Sequence, residues 1–433
     1  MTSRRLLFVT YYYPPQPGSG TGRGDAMVKY LRRLGHEVTV VTAAPPGQSP
    51  STHAGVVRTA SLNANPIVRR AFLRGSERAG GAATQRLAWG TMPAPLWKLI
   101  VPDPWLVTWN PAALRALRRL LRERRFDCVI TSSPADSTHM LGFALGRDRP
   151  AWVADFRDGW CFEPLRPPFP TQAQRRLDAW IERRVATRAD GVVSVTAPIV
   201  EYFRDYLDVN AALVTNGWDP ELEPDRPDGD AAPGGSFTLV HTGALSGPRG
   251  RDPRPFLDAL RGVIDVDRAL VGRIQLIAAG RSEHDEQPLI DQAGLGEVVR
   301  LVGHVPREEA LALQRSADAL VLITSRDRCE ATGKLYEYMA AGRPIIALAE
   351  GTEAARIIRE TGVGVVTAQD DVSDIVAALR AALRGELERR YAPRHLDRYA
   401  YPGLAEQFAE VVEQAIERRQ RVRLQTGGRP GAA

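Results

Sequence analysis

Residues 219–236 read DPELEPDRPDGDAAPGGS. Proline, glycine and aspartate dominate, and no apolar period of two or 3.6 runs through the stretch. It cannot build a core and reads as a linker. Each flank must therefore fold by itself, and both carry the same pattern. Upstream, short apolar runs predict strands at 6–11, 37–43, 56–59, 128–132, 152–155, 192–195 and 213–215. Downstream they predict strands at 238–242, 274–278, 299–302, 319–323, 345–348 and 364–367. Most are continuous rather than alternating runs, as parallel strands covered on both faces require. Amphipathic helical patterns fill the gaps. Met27, Tyr30, Leu31 and Leu34 share one face of a helix opened by Asp25, and 308–316 and 334–341 are similar. The expected class is α/β: two doubly wound, Rossmann-like domains facing across a cleft, where ligands bind outside the carboxyl ends of the strands. The expected organisation is an N-terminal domain over 1–218, the linker over 219–236 and a C-terminal domain over 237–391. Helices over 392–420 cross back to the N-terminal domain, and 421–433 is a frayed tail.

Composition agrees with such a chain. At 433 residues it is too long for one core. With 44% hydrophobic and 25% charged residues it is neither disordered nor collagen-like. Mean hydropathy is −0.25 and no apolar run approaches a membrane span. The N-terminal apolar run covers only Leu6 to Val9 before three tyrosines and two prolines, a buried strand rather than a signal peptide. Cys128, Cys161 and Cys329 have no metal-ligand spacing and fit a reducing cytoplasm. Lys and Arg number 57 against 51 Asp and Glu, mostly as arginine. Nucleic acid, an anionic membrane face or a phosphorylated small molecule would suit that charge, and so would a GC-rich coding bias.

Three segments carry candidate chemistry. The first is PPQPGSGTGRG, 14–24, whose glycines let a backbone approach a ligand ahead of a helix N-terminus or merely form a flexible loop. Gly20 is its candidate contact. The second is TSRDRCEATGKLYEYMAAGRP, 324–344. A strand end, a loop carrying Glu330 and a helix opened by Gly333 would bring backbone N–H groups around Gly333 and Lys334 to a phosphate, with Leu335 a further donor-binding candidate. Lys334 adds a point charge, and Glu337, on the same face, can accept from a diol such as ribose. A plain salt-bridged helix is the bland alternative. The third is HTGALSGPRGRD, 241–252, a glycine-rich turn at Gly243 with Arg249 and Arg251 placed to stabilise a diphosphate leaving group or to stand in solvent.

At these residues the chain resembles the GT-B glycosyltransferases of the GT4 family. YYYPPQPGSGTGRGDAMVKYLRRLGHEVTVVT, 11–42, is similar to the family's N-terminal loop, helix and strand. VADFRDGW, 153–160, looks like the D-F-R-D-x-W segment of one subgroup, and TNGWD, 215–219, like the stretch before the interdomain linker. VVRLVGHVPREEALALQRSADALVLITS and TGKLYEYMAAGRPIIAL resemble the donor-binding half. The likeness spans most of 4–380 and is weakest over 66–125. It implies a C-terminal domain that binds a nucleotide diphosphate-sugar and an N-terminal domain that binds an acceptor hydroxyl. It also implies transfer with retention, no bound metal and no cofactor beyond the donor. Glu337 matches the second glutamate of the family's E-x7-E, and Lys334 the lysine of K-x-x-E-Y. The first glutamate position holds Cys329, with Glu330 one residue on, and the usual G-R-x-x-x-x-K is replaced by a turn holding Arg249 and Arg251. Asp155, Arg157 and Asp158 follow an acceptor-side strand and either orient the acceptor hydroxyl or form a structural ion-pair cluster. His139, in SSPADSTHM, follows another strand end and either lines the cleft or is structural.

Trp89, Trp97, Trp105 and Trp109 precede ALRALRRLLRERRF, a run with six arginines and one glutamate. Beside an anionic membrane it would place the protein peripherally at the inner face; otherwise it is a helix covering the N-terminal sheet. The acceptor classes left open are glycan, cell-envelope and secondary-metabolite hydroxyls. Rival readings are a nucleotide-sugar 2-epimerase of the same architecture and a non-catalytic sugar-nucleotide binder. A nucleic-acid partner is not expected, because no recognition motif accompanies the arginines.

Overall fold

The computed structural model describes residues 2–16, 19–45, 48–61, 101–103, 106–164, 168–222, 236–247, 250–280 and 285–426. The chain divides into two compact units, Met1–Thr215 with Tyr401–Ala433, and Asn216–Ala400.

The first unit carries strands β1 (Arg5–Thr10), β2 (Glu37–Ala43), β3 (Ser51–His53), β4 (Val56–Thr59), β5 (Cys128–Ser132), β6 (Ala151–Phe156), β7 (Gly191–Ser194) and β8 (Ala211–Leu213). Its helices are α1 (Ser19–Arg33), α2 (Asn110–Glu123), α3 (His139–Ala144), α4 (Gln172–Arg188) and α5 (Ala197–Leu207). The sheet order is β3-β4-β2-β1-β5-β6-β7-β8, parallel except at β3. Side chains alternate across it. Leu6, Phe8 and Val153 pack in one cluster with Met27 and Leu31 of α1, whereas Leu7, Val9 and Val129 pack in another with Leu117 and Leu120 of α2. A long helix over Tyr401–Thr426 completes the first cluster with Phe408, Val412 and Ile416. Helical structure therefore extends past residue 420, into the stretch read as a frayed tail.

Two other local readings need correction. Helix α1 begins at Ser19, not Asp25, so Gly20, Gly22 and Gly24 lie within its first turns. Glycine costs about 1 kcal/mol per helical site, which packing of Met27, Tyr30 and Leu31 offsets. Strand β3 gave no apolar signal because all three residues are exposed on the sheet edge. The basic run over 113–126 covers the sheet: Leu117 and Leu120 are buried, and the arginines face outward. Trp89, Trp97 and Trp105 lie outside the described residues.

Helix α3 lies so close to β6 that a Cβ on Gly142 would fall 2.1 Å from the Trp152 ring. Gly142→Ala is expected to cost about 1–3 kcal/mol, read as a lower melting temperature by circular dichroism.

The second unit carries β9 (Phe237–Thr242), β10 (Ile274–Ala279), β11 (Val299–Gly303), β12 (Ala319–Ile323), β13 (Ile345–Leu348) and β14 (Gly364–Thr367). Its helices are α6 (Arg254–Val266), α7 (Gln287–Gln292), α8 (Arg307–Ser316), α9 (Gly333–Ala341), α10 (Glu353–Thr361), α11 (Val372–Leu383) and α12 (Glu386–Arg390). The Tyr401–Thr426 helix is α13. The order β11-β10-β9-β12-β13-β14 is wholly parallel. The chain leaves β9 to one side for β10 and β11, then returns to the other for β12, so the carboxyl ends of β9 and β12 form a topological switch point. Trp218 bridges to Ala400 and packs in this unit's core, so the division falls at Thr215 rather than at 218.

Candidate active site

At the switch point, β9 ends at Thr242 and Gly243 turns the chain with φ +90°, a left-handed conformation that glycine adopts without strain. Its N–H donates to Ala279 O at 2.7 Å. Gly280 abuts it so closely that a Cβ there would sit 2.2 Å from Gly243 O. The paired glycines clear the space above the strand ends.

That space holds Lys334. Its Nζ lies 3.0 Å from where a Cβ on Gly243 would stand and 3.4 Å from His241 Nε2. His241 is buried, with Nδ1 2.9 Å from Val321 O. Burial first, then the Lys334 charge, holds its pKa down at about 3, so the ring is neutral. Its Nε2 also lies 3.0 Å from Ala244 O, so the neutral ring, with a single N–H, donates to one of two facing carbonyls while Lys334 approaches from the Nε2 side. Burial, reinforced by the Arg251 charge, pulls the Lys334 pKa down to about 7 against Glu330, Glu337 and Glu286. Arg251 Nη2 donates to Glu330 Oε1 at 2.6 Å. The other Glu330 oxygen accepts from Ser325 N at 2.7 Å and from the Ser325 hydroxyl. Arg251 Nε is buried and finds no partner among the described residues.

Helix α9 opens beside this cluster. Its N-cap, Thr332, has extended backbone and makes no side-chain cap, so among the first-turn amides Leu335 N–H turns to Thr332 O and the N-cap side chain takes none. Leu335, Tyr336, Tyr338 and Met339 face the core, leaving Lys334 and Glu337 on the open side. Glu337 accepts from Arg307 at 3.0 Å and keeps 27% of its side chain exposed. Arg251, a lysine of lowered pKa and a helix start without a side-chain cap form a cradle for an anion, flanked by a carboxylate that can accept from hydroxyls.

A second polar cluster lies at the carboxyl end of β6 in the first unit. Asp155 is buried, accepting from Ser132 Oγ at 2.7 Å and from Arg23 Nη2 at 3.1 Å. Arg23 also donates to Val214 O at 2.9 Å and to Thr215 O. The Arg157 N–H donates to Ser133 Oγ at 3.1 Å, and its buried guanidinium has its pKa lowered by desolvation, against the charge of Asp158. Among the described residues no group of three or more His, Cys, Asp or Glu side chains converges as a metal site. Nor is any described helix long and apolar enough to cross a membrane.

Residues 23–217 match the family of glycosyl transferase 4-like domains, and residues 259–401 match glycosyl transferases group 1. This chain is a GT-B glycosyltransferase of the GT4-like group. It is 25% identical over 401 residues to a Mycobacterium tuberculosis glycogen synthase, covering 88% of this chain and 86% of that one. Sucrose-phosphate synthase from Thermosynechococcus elongatus superposes with a TM-score of 0.67 at 16% identity, over 96% of this chain and 99% of that one. An alpha,alpha-trehalose 6-phosphate synthase from Burkholderia multivorans does so with 0.64 at 14% identity, over the full length of both. These structural likenesses concern the fold.

In the glycosyltransferase, Gly243, Arg251, Glu330, Gly333, Lys334 and Glu337 come together around one strand-end site. Arg249 lies outside the described residues. Leu335 needs correction as a donor contact: its side chain is wholly buried and its N–H is held by Thr332 O at 3.0 Å. Gly20 belongs to a helical turn rather than a loop. Asp155, Arg157 and Asp158 share one edge of the other sheet. His139 does not join them. It is wholly buried with its ring 4.2 Å from that of Phe156, Nδ1 2.9 Å from Thr131 Oγ1 and a pKa held at about 3 by desolvation. Phe156 packs His139 into the core, where the Asp155 charge acts on the ring only against the larger desolvation. Three participants escaped the sequence reading. His241 and Arg23 sit in recognised segments without a spacing that marks them. Glu286, which accepts from Ser246 N at 2.6 Å, is brought in from β10's far loop.

Proposed function

We propose that this glycosyltransferase transfers a sugar, with retention and without a metal, from a nucleotide diphosphate-sugar to an acceptor hydroxyl. The observation that supports it is the convergence of Arg251, Lys334 and the α9 N-terminus on one space, with Glu337 beside it. Arg251 and Lys334 neutralise the diphosphate, the α9 amides donate to its oxygens, and Glu337 accepts from the ribose diol. As the anomeric C–O bond breaks, an oxocarbenium-like centre forms and negative charge builds on the leaving diphosphate, where fixed cations and dipoles act most strongly. The acceptor oxygen bonds to the anomeric carbon on the face the phosphate leaves, and its proton passes to the departing phosphate oxygen. No protein nucleophile is needed. Arg157 and Asp158 of the first unit orient the acceptor, a glycan, cell-envelope or secondary-metabolite hydroxyl, while Asp155 fixes their strand end through Arg23. The donor is the sole co-substrate and no other cofactor takes part.

A thermal-shift screen of UDP-, GDP- and ADP-sugars tests this. One donor should stabilise the protein by about 2.7 kcal/mol at a hundredfold excess over Kd, and Glu337→Ala should remove most of that shift. Failure of every sugar nucleotide to raise the melting temperature overturns the donor assignment. Conversion of donor without any acceptor would assign a 2-epimerase, and binding without turnover over an acceptor panel a non-catalytic binder. The product anomer by NMR reads retention, and unchanged rates in EDTA read metal independence.

A further inference from the structure

Helix α4 buries polar side chains beside Val185 and Ala186 and turns large apolar ones outward. Its buried side chains include Gln174, Asp178 and Glu182, while Leu177 is 46% and Trp180 53% exposed. The buried carboxylates are well supplied. Asp178 accepts from Trp160 Nε1 at 2.8 Å, and Glu182 accepts from the Cys161 N–H at 3.0 Å and the Tyr202 hydroxyl at 2.8 Å. Their burial therefore belongs to the packing, and the outward apolar residues are its counterpart. Leu177, Trp180, Ile181, Arg184 and Arg188 follow at helical spacing along the outer face. An apolar groove of about 460 Å³ runs beside them between α2, α3 and α4, lined by Leu114, Met140, Phe143 and Trp180 among others. Phe143 is 42% exposed. An open apolar face of this kind on a folded unit marks an interaction surface.

Charge identifies the partner. Every exposed charged residue on α2 and α4 except Glu123 is an arginine. The Arg184 guanidinium lies 5.1 Å above the Trp180 ring and that of Arg188 5.9 Å above Phe143, so cation and aromatic are presented together. We propose that this face of the first unit docks on an anionic phospholipid bilayer. Trp180 and Phe143 enter the boundary between headgroups and acyl chains, and the arginines bear on lipid phosphates. Nucleic acid would engage the arginines and leave the groove empty. A second copy joined by the same face would set like charges against each other. Leu117 and Leu120 of α2 are buried against the sheet and take no part, whereas Leu114 lines the groove.

Flotation of the full chain tests this, using vesicles of phosphatidylcholine alone and of an equal mixture of phosphatidylcholine and phosphatidylglycerol. The protein should float with the mixed vesicles only, and high salt should release it. The pairs Phe143→Ser with Trp180→Ser, and Arg184→Gln with Arg188→Gln, should each lower the partition coefficient by about tenfold or more. All four positions are exposed, and unchanged melting temperatures verify folding. Absence of flotation, equal flotation with neutral vesicles, or flotation that both pairs leave intact overturns the proposal. So does a protein that ignores vesicles but shifts random RNA through Arg184 and Arg188, or forms a dimer that Trp180→Ser dissolves.

Discussion

Lys334→Met should melt above the wild type below pH 7 and yet lose about 10²–10³-fold in kcat/KM. Both effects follow from one lysine. In the folded chain burial and Arg251 hold its pKa at about 7, against 10.5 when unperturbed. The folded state therefore binds fewer protons than the unfolded state between those values, and this group's contribution to stability rises with pH across that window. Below about pH 7 both states are protonated and the cost of holding a desolvated cation is fully present. Methionine fills similar volume without the charge, so its stabilising effect is largest there and fades toward pH 10.5. Donor binding has the opposite dependence. A diphosphate favours the ammonium, so wild-type affinity for a nucleotide sugar should fall as pH climbs above about 7, while that of the variant stays flat. Calorimetric titrations over that range, beside melting curves of the ligand-free proteins, give the measurement. A variant that binds donor like the wild type would remove Lys334 from the diphosphate site, whatever its stability.

Asp155→Ala should destabilise the first unit by about 3–5 kcal/mol, because it strands the buried Arg23 guanidinium without a carboxylate. The two side chains are each 2% exposed, and the pair joins α1 to β6 and, through Val214 and Thr215, to the end of the sheet. Asp155→Asn keeps acceptor and size and should lose less. Arg23→Met combined with Asp155→Leu, which removes both charges, should recover part of the deficit. Urea midpoints for the four proteins check the series, and an unchanged midpoint for Asp155→Ala would refute a structural pairing. This series also separates two roles for the D-F-R-D segment. Asp155 has both carboxylate oxygens occupied by Ser132 and Arg23, whereas Asp158 is only partly buried.

Strands were the most legible part of the sequence. Those at 37–43, 56–59, 128–132, 319–323, 345–348 and 364–367 stand at the residues expected from their apolar runs. Parallel strands buried on both faces leave short, continuous, β-branched apolar runs, whose length and flanking turn residues separate them from buried helices. Helix α1 was less legible, since glycine spacing says loop locally and only Leu6, Phe8 and the Tyr401–Thr426 helix make the alternative favourable. Lys334, Glu337 and Glu330 were readable as candidates because a strand, loop and helix in succession put them near one helix start. Their partners were not.

The sequence by itself determined that the chain makes two parallel α/β units and that a basic, glycine-lined loop stands at the carboxyl end of a central strand in the second. Those features rest on local periodicity and turn chemistry, which any short window carries. Tertiary structure alone decided that Arg251 meets Glu330 across 79 positions of chain, and that His241 receives Lys334 across 93. It also turned His139 into the core, joined Arg23 to Asp155 and left Trp180 facing outward. Such outcomes depend on which strand ends the crossovers bring side by side and on how burial shifts charge, neither of which has a local signature.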